Sequence, residues 1–64
     1  MTVNGRQINI DKEISLSEFL LKENYDREKI AVEKNGNIVS KRFFDTEMLA
    51  SSDKIEIVSF VGGG

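Results

Sequence analysis

The reactive chemistry available to this chain is concentrated in its last three residues. Of five glycines among 64 residues, three are Gly62, Gly63 and Gly64, directly after the strand-like run "KIEIVSFV". Glycine there adds no packing and no side-chain chemistry; it gives a narrow, flexible tail with a bare carboxylate at its tip. That carboxylate is ionised at neutral pH, its ordinary pKa being about 3.3–3.7, and the anion is a poor electrophile. It enters acyl chemistry only after activation. The sequence has no cysteine and no histidine. This excludes a disulfide framework, a zinc knuckle, a thiol nucleophile and the usual general base near neutral pH. Taken alone, a terminal glycine run is a frayed end; it becomes the working part only if the elements before it present it to a partner.

Other constellations carry less. "KRFF" places Lys41 and Arg42 beside Phe43 and Phe44, a mixture that binders of single-stranded nucleic acid use for phosphate contact and stacking. Two cations in a chain of net charge −2 do not make a basic patch, so a solvated loop is the better reading and no nucleic-acid partner is expected. One of the two phenylalanines is expected in the core and the other partly covered. Asp45 with Glu47, or Glu33 with Glu56, could suggest a metal site or a carboxylate pair, but without histidine or cysteine they read as surface charge.

Hydrophobic residues make up 39% of the sequence and charged residues 31%, as in a soluble globular domain. A chain of this length buries only about 60% of its unfolded surface, so its core must be efficient. There is no apolar run long enough to span a bilayer. The opening "MTVNGRQINI" lacks the basic and apolar regions of a signal peptide, which makes the cytoplasm the default. The expected organisation is one domain over residues 1–61 with a glycine tail over 62–64, monomeric when alone.

The elements that must hold the tail can be read in order. Val3, Asn4-Gly5, Ile8 and Ile10 describe a hairpin, because both turn positions tolerate positive φ. In "ISLSEFLLKEN", Ser15 and Glu18 have capping-box spacing, and Ile14 and Phe19 that of a hydrophobic staple. Leu16, Phe19 and Leu20 share one helical face, and Asn24 is a plausible C-terminal cap. "IAVEKNGNIV" is a second hairpin, turning at Asn35-Gly36. Thr46 to Leu49 is expected to make one helical turn, Ser51 to Asp53 a tight turn, and Lys54 onward the last strand. Hairpin, helix, hairpin and strand imply an α+β fold, one helix across a small mixed sheet, with the first and last strands central and parallel: a β-grasp.

The last strand switches faces. Ile55 and Ile57 alternate with Lys54 and Glu56, and then Val58 and Phe60 fall on the side that carried the charges. A strand buried on one side does not do this, so Val58 and Phe60 are expected to form an apolar patch outside the core, beside the tail.

With these residues in view, the chain resembles the ThiS-type sulfur carriers of thiamine biosynthesis. The likeness rests on the "VNG" turn, the "SLSEFLL" helix, the "IAVEKNGNIV" hairpin and the closing "DKIEIVSFVGGG". Where the family usually has Gly-Asp before its last strand, this chain has Ser52-Asp53, which puts the local turn geometry in question. The resemblance implies a carrier, not an enzyme. Gly64 would be adenylated by an E1-like adenylyltransferase that uses ATP and Mg²⁺, the carrier itself binding no cofactor. Sulfur from a donor such as a cysteine desulfurase would then give a thiocarboxylate, passed on to thiazole synthase. Gly62 and Gly63 would provide reach, and Val58, Phe60 and Val61 would help dock the partners. Three alternatives stay open: the small subunit of molybdopterin synthase, a relative that is typically longer; a ubiquitin-like modifier, although such tails commonly start strongly basic; and a plain binding module with an inert tail.

Overall fold

The computed structural model describes residues 1–60; Val61, Gly62, Gly63 and Gly64 lie outside the described residues. Seven short strands and one helix follow in the order β1 (Thr2–Val3), β2 (Arg6–Gln7), β3 (Ile14–Ser15), α1 (Leu16–Lys22), β4 (Ile30–Lys34), β5 (Asn37–Val39), β6 (Met48–Leu49) and β7 (Lys54–Ser59). Five of them form one sheet in the order β2-β1-β7-β4-β5. β1 and β7 run parallel at its centre, with Thr2 opposite Lys54 and Val3 opposite Ile55. A separate two-stranded sheet joins β3 to β6.

Each hairpin turns where the sequence places it. Asn4 and Gly5 have φ of 52° and 80°, Asn35 and Gly36 of 52° and 87°, the left-handed pair that a two-residue turn between strands requires. The first return strand stops at Gln7, although Ile8 still donates its N–H to the Met1 carbonyl at 2.8 Å. The chain then leaves the sheet, and Ile8 and Ile10 pack against the core from its edge.

The helix begins at the Ser15 cap, whose hydroxyl accepts from the Glu18 N–H at 3.1 Å. It ends in a Schellman motif. Asn24, at φ 63°, takes the left-handed position, and Tyr25 and Asn24 donate N–H groups to the Leu20 and Leu21 carbonyls. Leu16, Phe19 and Leu20 are buried against Val3, Ile30, Val32, Ile55 and Ile57 of the sheet's inner face. Phe44 completes the core at 1% exposure, whereas Phe43 is 50% exposed.

One expected element is different. Thr46 to Leu49 does not make a helical turn. Met48 and Leu49 pair with Ser15 and Ile14, and the Leu16 N–H bonds to the Glu47 carbonyl at 2.8 Å. Local propensity loses here to a strand pairing that puts Leu49 fully inside the core. The helical turn of this segment lies earlier, a 3₁₀ turn over Lys41–Phe43. Among the described residues no helix is long and apolar enough to cross a membrane.

Candidate functional site

The candidate site is the C-terminal end of β7, and two asparagines hold that strand from opposite sides. At its start, the Asn35 side chain accepts from the Lys54 N–H and donates to Asp53 Oδ1, both at 2.9 Å. Near its end, Asn4 Oδ1 accepts from the Ile57 N–H at 2.7 Å and Asn4 Nδ2 donates to the Ile57 carbonyl at 3.2 Å. Both asparagines occupy the first position of their Asn-Gly turns. The left-handed backbone there leaves the side chain free to stand in for one more strand residue.

A charged cluster anchors the turn that feeds β7. Asp53 N–H bonds to the Ala50 carbonyl at 3.0 Å, and Asp53 Oδ2 accepts from the Ala50 N–H at 2.8 Å. Lys34 reaches Glu47 at 2.8 Å and Asp53 at 3.7 Å. Burial raises the Asp53 carboxyl, but the hydrogen bonds from Ala50 and Asn35 and the Lys34 charge outweigh it and hold it below its ordinary value. The hydrogen bond to Glu47, with the Asp53 charge behind it, raises the Lys34 ammonium above its ordinary value against its own desolvation. Ser52 is not among the residues with positive φ, so this turn does not require the glycine that usually precedes the aspartate.

The face switch produces the exposure it implies. Ile55 and Ile57 are buried, whereas Val58 is 59% exposed and Phe60 42%. Their surroundings differ. Val58 stands opposite Ala31 on the outer face of the sheet. Phe60 lies one residue past the strand, its N–H on the Lys29 carbonyl at 3.0 Å. It lines a cleft of about 310 Å³ with Asn24, Tyr25, Asp26 and Lys29. Glu33 and Glu56 face each other across β4 and β7, an unfavourable pairing of like charges on that outer face. The remaining site residues of the sequence reading, Val61, Gly62, Gly63 and Gly64, lie outside the described residues.

The "KRFF" cations are engaged within the chain. Arg42 sits 5.4 Å from the Phe43 ring centroid, and Lys41 reaches Glu28 at 3.5 Å. Asp45 accepts from Ser17 and pairs with Arg27 at 3.3 Å, and the Ser17 bond, then Arg27, lower its pKa. Arg27 also lies over the Phe44 ring at 5.2 Å. These groups tie the helix start to the 3₁₀ turn and not to β7.

Sequence reading missed the second role of Asn4 and Asn35. They registered as turn residues, and the only further signal was asparagine in preference to aspartate or glycine at both positions.

Comparison with known proteins then places the chain. The ThiS family model matches residues 1–64. The chain belongs to the ThiS family. It is 30% identical to a thiamine biosynthesis protein (ThiS) from Geobacter metallireducens, whose crystal structure superposes with a TM-score of 0.84 over 98% of this chain and 96% of that one. The solution structure of a thiamine biosynthesis protein from the same organism gives 0.76 at 29% identity, over 98% of this chain and 85% of that one. The β-grasp expected from the element order is therefore the fold of this ThiS-type carrier. Among curated relatives, the ycf40 protein of Porphyra purpurea is 34% identical over 62 residues, covering 97% of this chain and 87% of that protein. A thiazole synthase of Paramagnetospirillum magneticum is 34% identical over 64 residues, which is all of this chain but 20% of that protein.

Proposed function

We propose that this ThiS-family chain carries sulfur for thiazole formation as a thiocarboxylate on Gly64. A Gly64 carboxylate oxygen attacks the α-phosphorus of ATP, with Mg²⁺, in an E1-like adenylating partner. Pyrophosphate leaves and an acyl-adenylate forms. A persulfide sulfur from a donor such as a cysteine desulfurase then attacks the carbonyl carbon and expels AMP. A second thiol on the partner side attacks the donor cysteine's sulfur in the resulting acyl disulfide, forming a disulfide there and releasing the carrier's sulfur. The terminal thiocarboxylate that results delivers its sulfur to thiazole synthase. With no cysteine and no histidine, the chain contributes the reacting group and leaves catalysis to its partners. It works as a cytoplasmic monomer between these encounters.

The observation that carries this reading is the family match, which runs through Gly64. Two further observations support it. Proteins named thiazole synthase contain a segment similar to this chain, about a fifth of their length. In addition, Val58 and Phe60 expose apolar surface immediately before the tail. Burying such surface on a partner, at about 25 cal/mol per Å², offsets the ordering of a glycine tail, which costs about 1–2 kcal/mol per residue. In this reading Val58, Phe60 and Val61 dock the partner. Gly62 and Gly63, having no Cβ, pass a narrow channel.

The test is the intact mass of the protein after incubation with ATP, the host's adenylating enzyme and a sulfur donor. A gain equal to replacing one oxygen by sulfur, mapped to the C-terminal peptide, is expected. A chain extended by one residue after Gly64 is expected to stay unmodified. An unchanged mass with a demonstrably active adenylating enzyme overturns the reading.

A further inference from the structure

The backbone bonds of β7 alternate strictly, and the alternation leaves one rung open. Asp53 and Ile55 turn toward β1, accepting from the Thr2 and Asn4 N–H groups at 3.0 and 2.9 Å. Ile57 faces the same way, and because β1 has ended, the Asn4 side chain takes both its N–H and its carbonyl. Lys54 faces β4, accepting from Asn35, and so does Phe60, whose N–H bonds to Lys29. Ser59 is the next residue on the β1 side. Its N–H and carbonyl point past Asn4, and no other described residue pairs with them. A strand with one unpaired rung is a template for an added strand.

We propose that this rung receives an extended segment of thiazole synthase, which pairs backbone to backbone with Ser59 beside Asn4. The inference rests on the carrier reading above and specifies the partner's contact. Two observations support this occupant, and the second selects it. The first, which holds for any enzyme acting on Gly64, is reach: Gly64 follows Ser59 by five residues, which span at most about 17 Å when extended. An active site that takes the Gly64 thiocarboxylate therefore lies close to the open rung, and the partner's surface passes beside it. The second is that the relatives which join a segment similar to this chain to a larger protein are named thiazole synthase. Backbone pairing also suits the residue types present. Ser59 offers little side-chain area, and the flanking Val58 and Phe60 are the exposed apolar groups that alternate side-chain pockets of an added strand would grip.

At 64 residues the chain is accessible to total chemical synthesis, so single backbone atoms can be changed. Replacing the Val58–Ser59 amide by an ester deletes one N–H and weakens the Val58 carbonyl as an acceptor opposite Ala31. The control is an ester at the Asn37–Ile38 amide, whose N–H faces outward from the other open edge, on β5; it weakens the Asn37 carbonyl opposite Lys34 in the same way. Binding to the thiazole synthase of the same organism is measured by calorimetry. The Ser59 ester is expected to bind about three- to ten-fold more weakly than the all-amide chain, the worth of one hydrogen bond, and the Ile38 ester equally well. Amide exchange gives an independent readout: on adding thiazole synthase, the Ser59 N–H is expected to become protected while the Ile38 N–H is not. Equal binding of the two esters, or an unprotected Ser59 N–H in a formed complex, overturns the proposal and leaves the carrier reading standing. Failure of the all-amide chain to bind thiazole synthase overturns both.

Discussion

Replacing Asn4 by glycine tests how far one side chain supports the end of β7. Asn4 makes two hydrogen bonds to the Ile57 backbone, at 2.7 and 3.2 Å, in a partly buried setting. A net hydrogen bond contributes about 0.5–1.5 kcal/mol, so losing both costs about 1–3 kcal/mol. Glycine is the right probe because Asn4 has φ 52°. Alanine would add about 1–2 kcal/mol of left-handed strain that has nothing to do with Ile57. The expected loss is therefore about 2 kcal/mol for Asn4→Gly and about 3 kcal/mol or more for Asn4→Ala. A domain of this size is stable by only about 3–10 kcal/mol in total. At about 4–8 °C per kcal/mol, Asn4→Gly should lower Tm by about 8–16 °C. Urea unfolding followed by far-ultraviolet circular dichroism gives the free energy directly, with an unchanged m-value showing that the same surface unfolds. A change within about 0.5 kcal/mol would be that of an ordinary surface position, and Asn4 would then be a turn residue only.

Three further outcomes are expected. Phe44→Ala should cost about 3–5 kcal/mol, enough to unfold much of the population, whereas Phe43→Ala should cost under about 1 kcal/mol; thermal melts separate the two. Because the folded Asp53 carboxyl lies below its unfolded value despite burial, its stabilisation is complete above about pH 4 and disappears as pH falls through the folded pKa. The urea midpoint of the native protein should therefore fall more steeply than that of Asp53→Asn below that pH. Val58→Ser and Phe60→Ser should leave Tm within a few degrees of the native value, since both side chains are exposed, yet weaken binding to the adenylating enzyme that the proposed function calls for, in a pull-down or by calorimetry.

Much of this architecture is legible in the residues because the strong signals are local. Asn-Gly at 4–5 and 35–36, Ser15 before an apolar helical face, and the alternating Ile55 and Ile57 each specify their element within a few positions. The exposure of Val58 and Phe60 follows from the same alternation. The segment from Ser40 to Ala50 is not legible. Met48 and Leu49 become a strand only because Ile14 and Ser15, more than thirty positions earlier, offer a partner, and no local pattern encodes that. The asparagine bonds to β7 are hidden for the same reason. An Asn-Gly pair announces its turn but not which backbone lies within reach of the amide. The tail's chemistry was read from residue type and resemblance, with family membership added by comparison; Gly64 itself lies outside the described residues.

The parallel contact between β1 and β7 also governs how the molecule comes into being. Among the described strands, the central one, β7, comes last in chain order, and its partner on one side, β1, comes first. Until Lys54 to Ser59 emerges from the ribosome, the two hairpins and the helix have a gap where the sheet's middle belongs, with Val3, Val32 and Phe19 lacking the side chains that cover them. Closing such a distant pair is slow compared with forming a local hairpin, because the entropy of joining the ends comes before any contact rewards it. A chain that stops short of β7 lacks the strand that joins β1 to β4, and its uncovered apolar face invites proteolysis. Biosynthesis thereby filters the pool: a molecule with the complete sheet has been translated at least through Ser59.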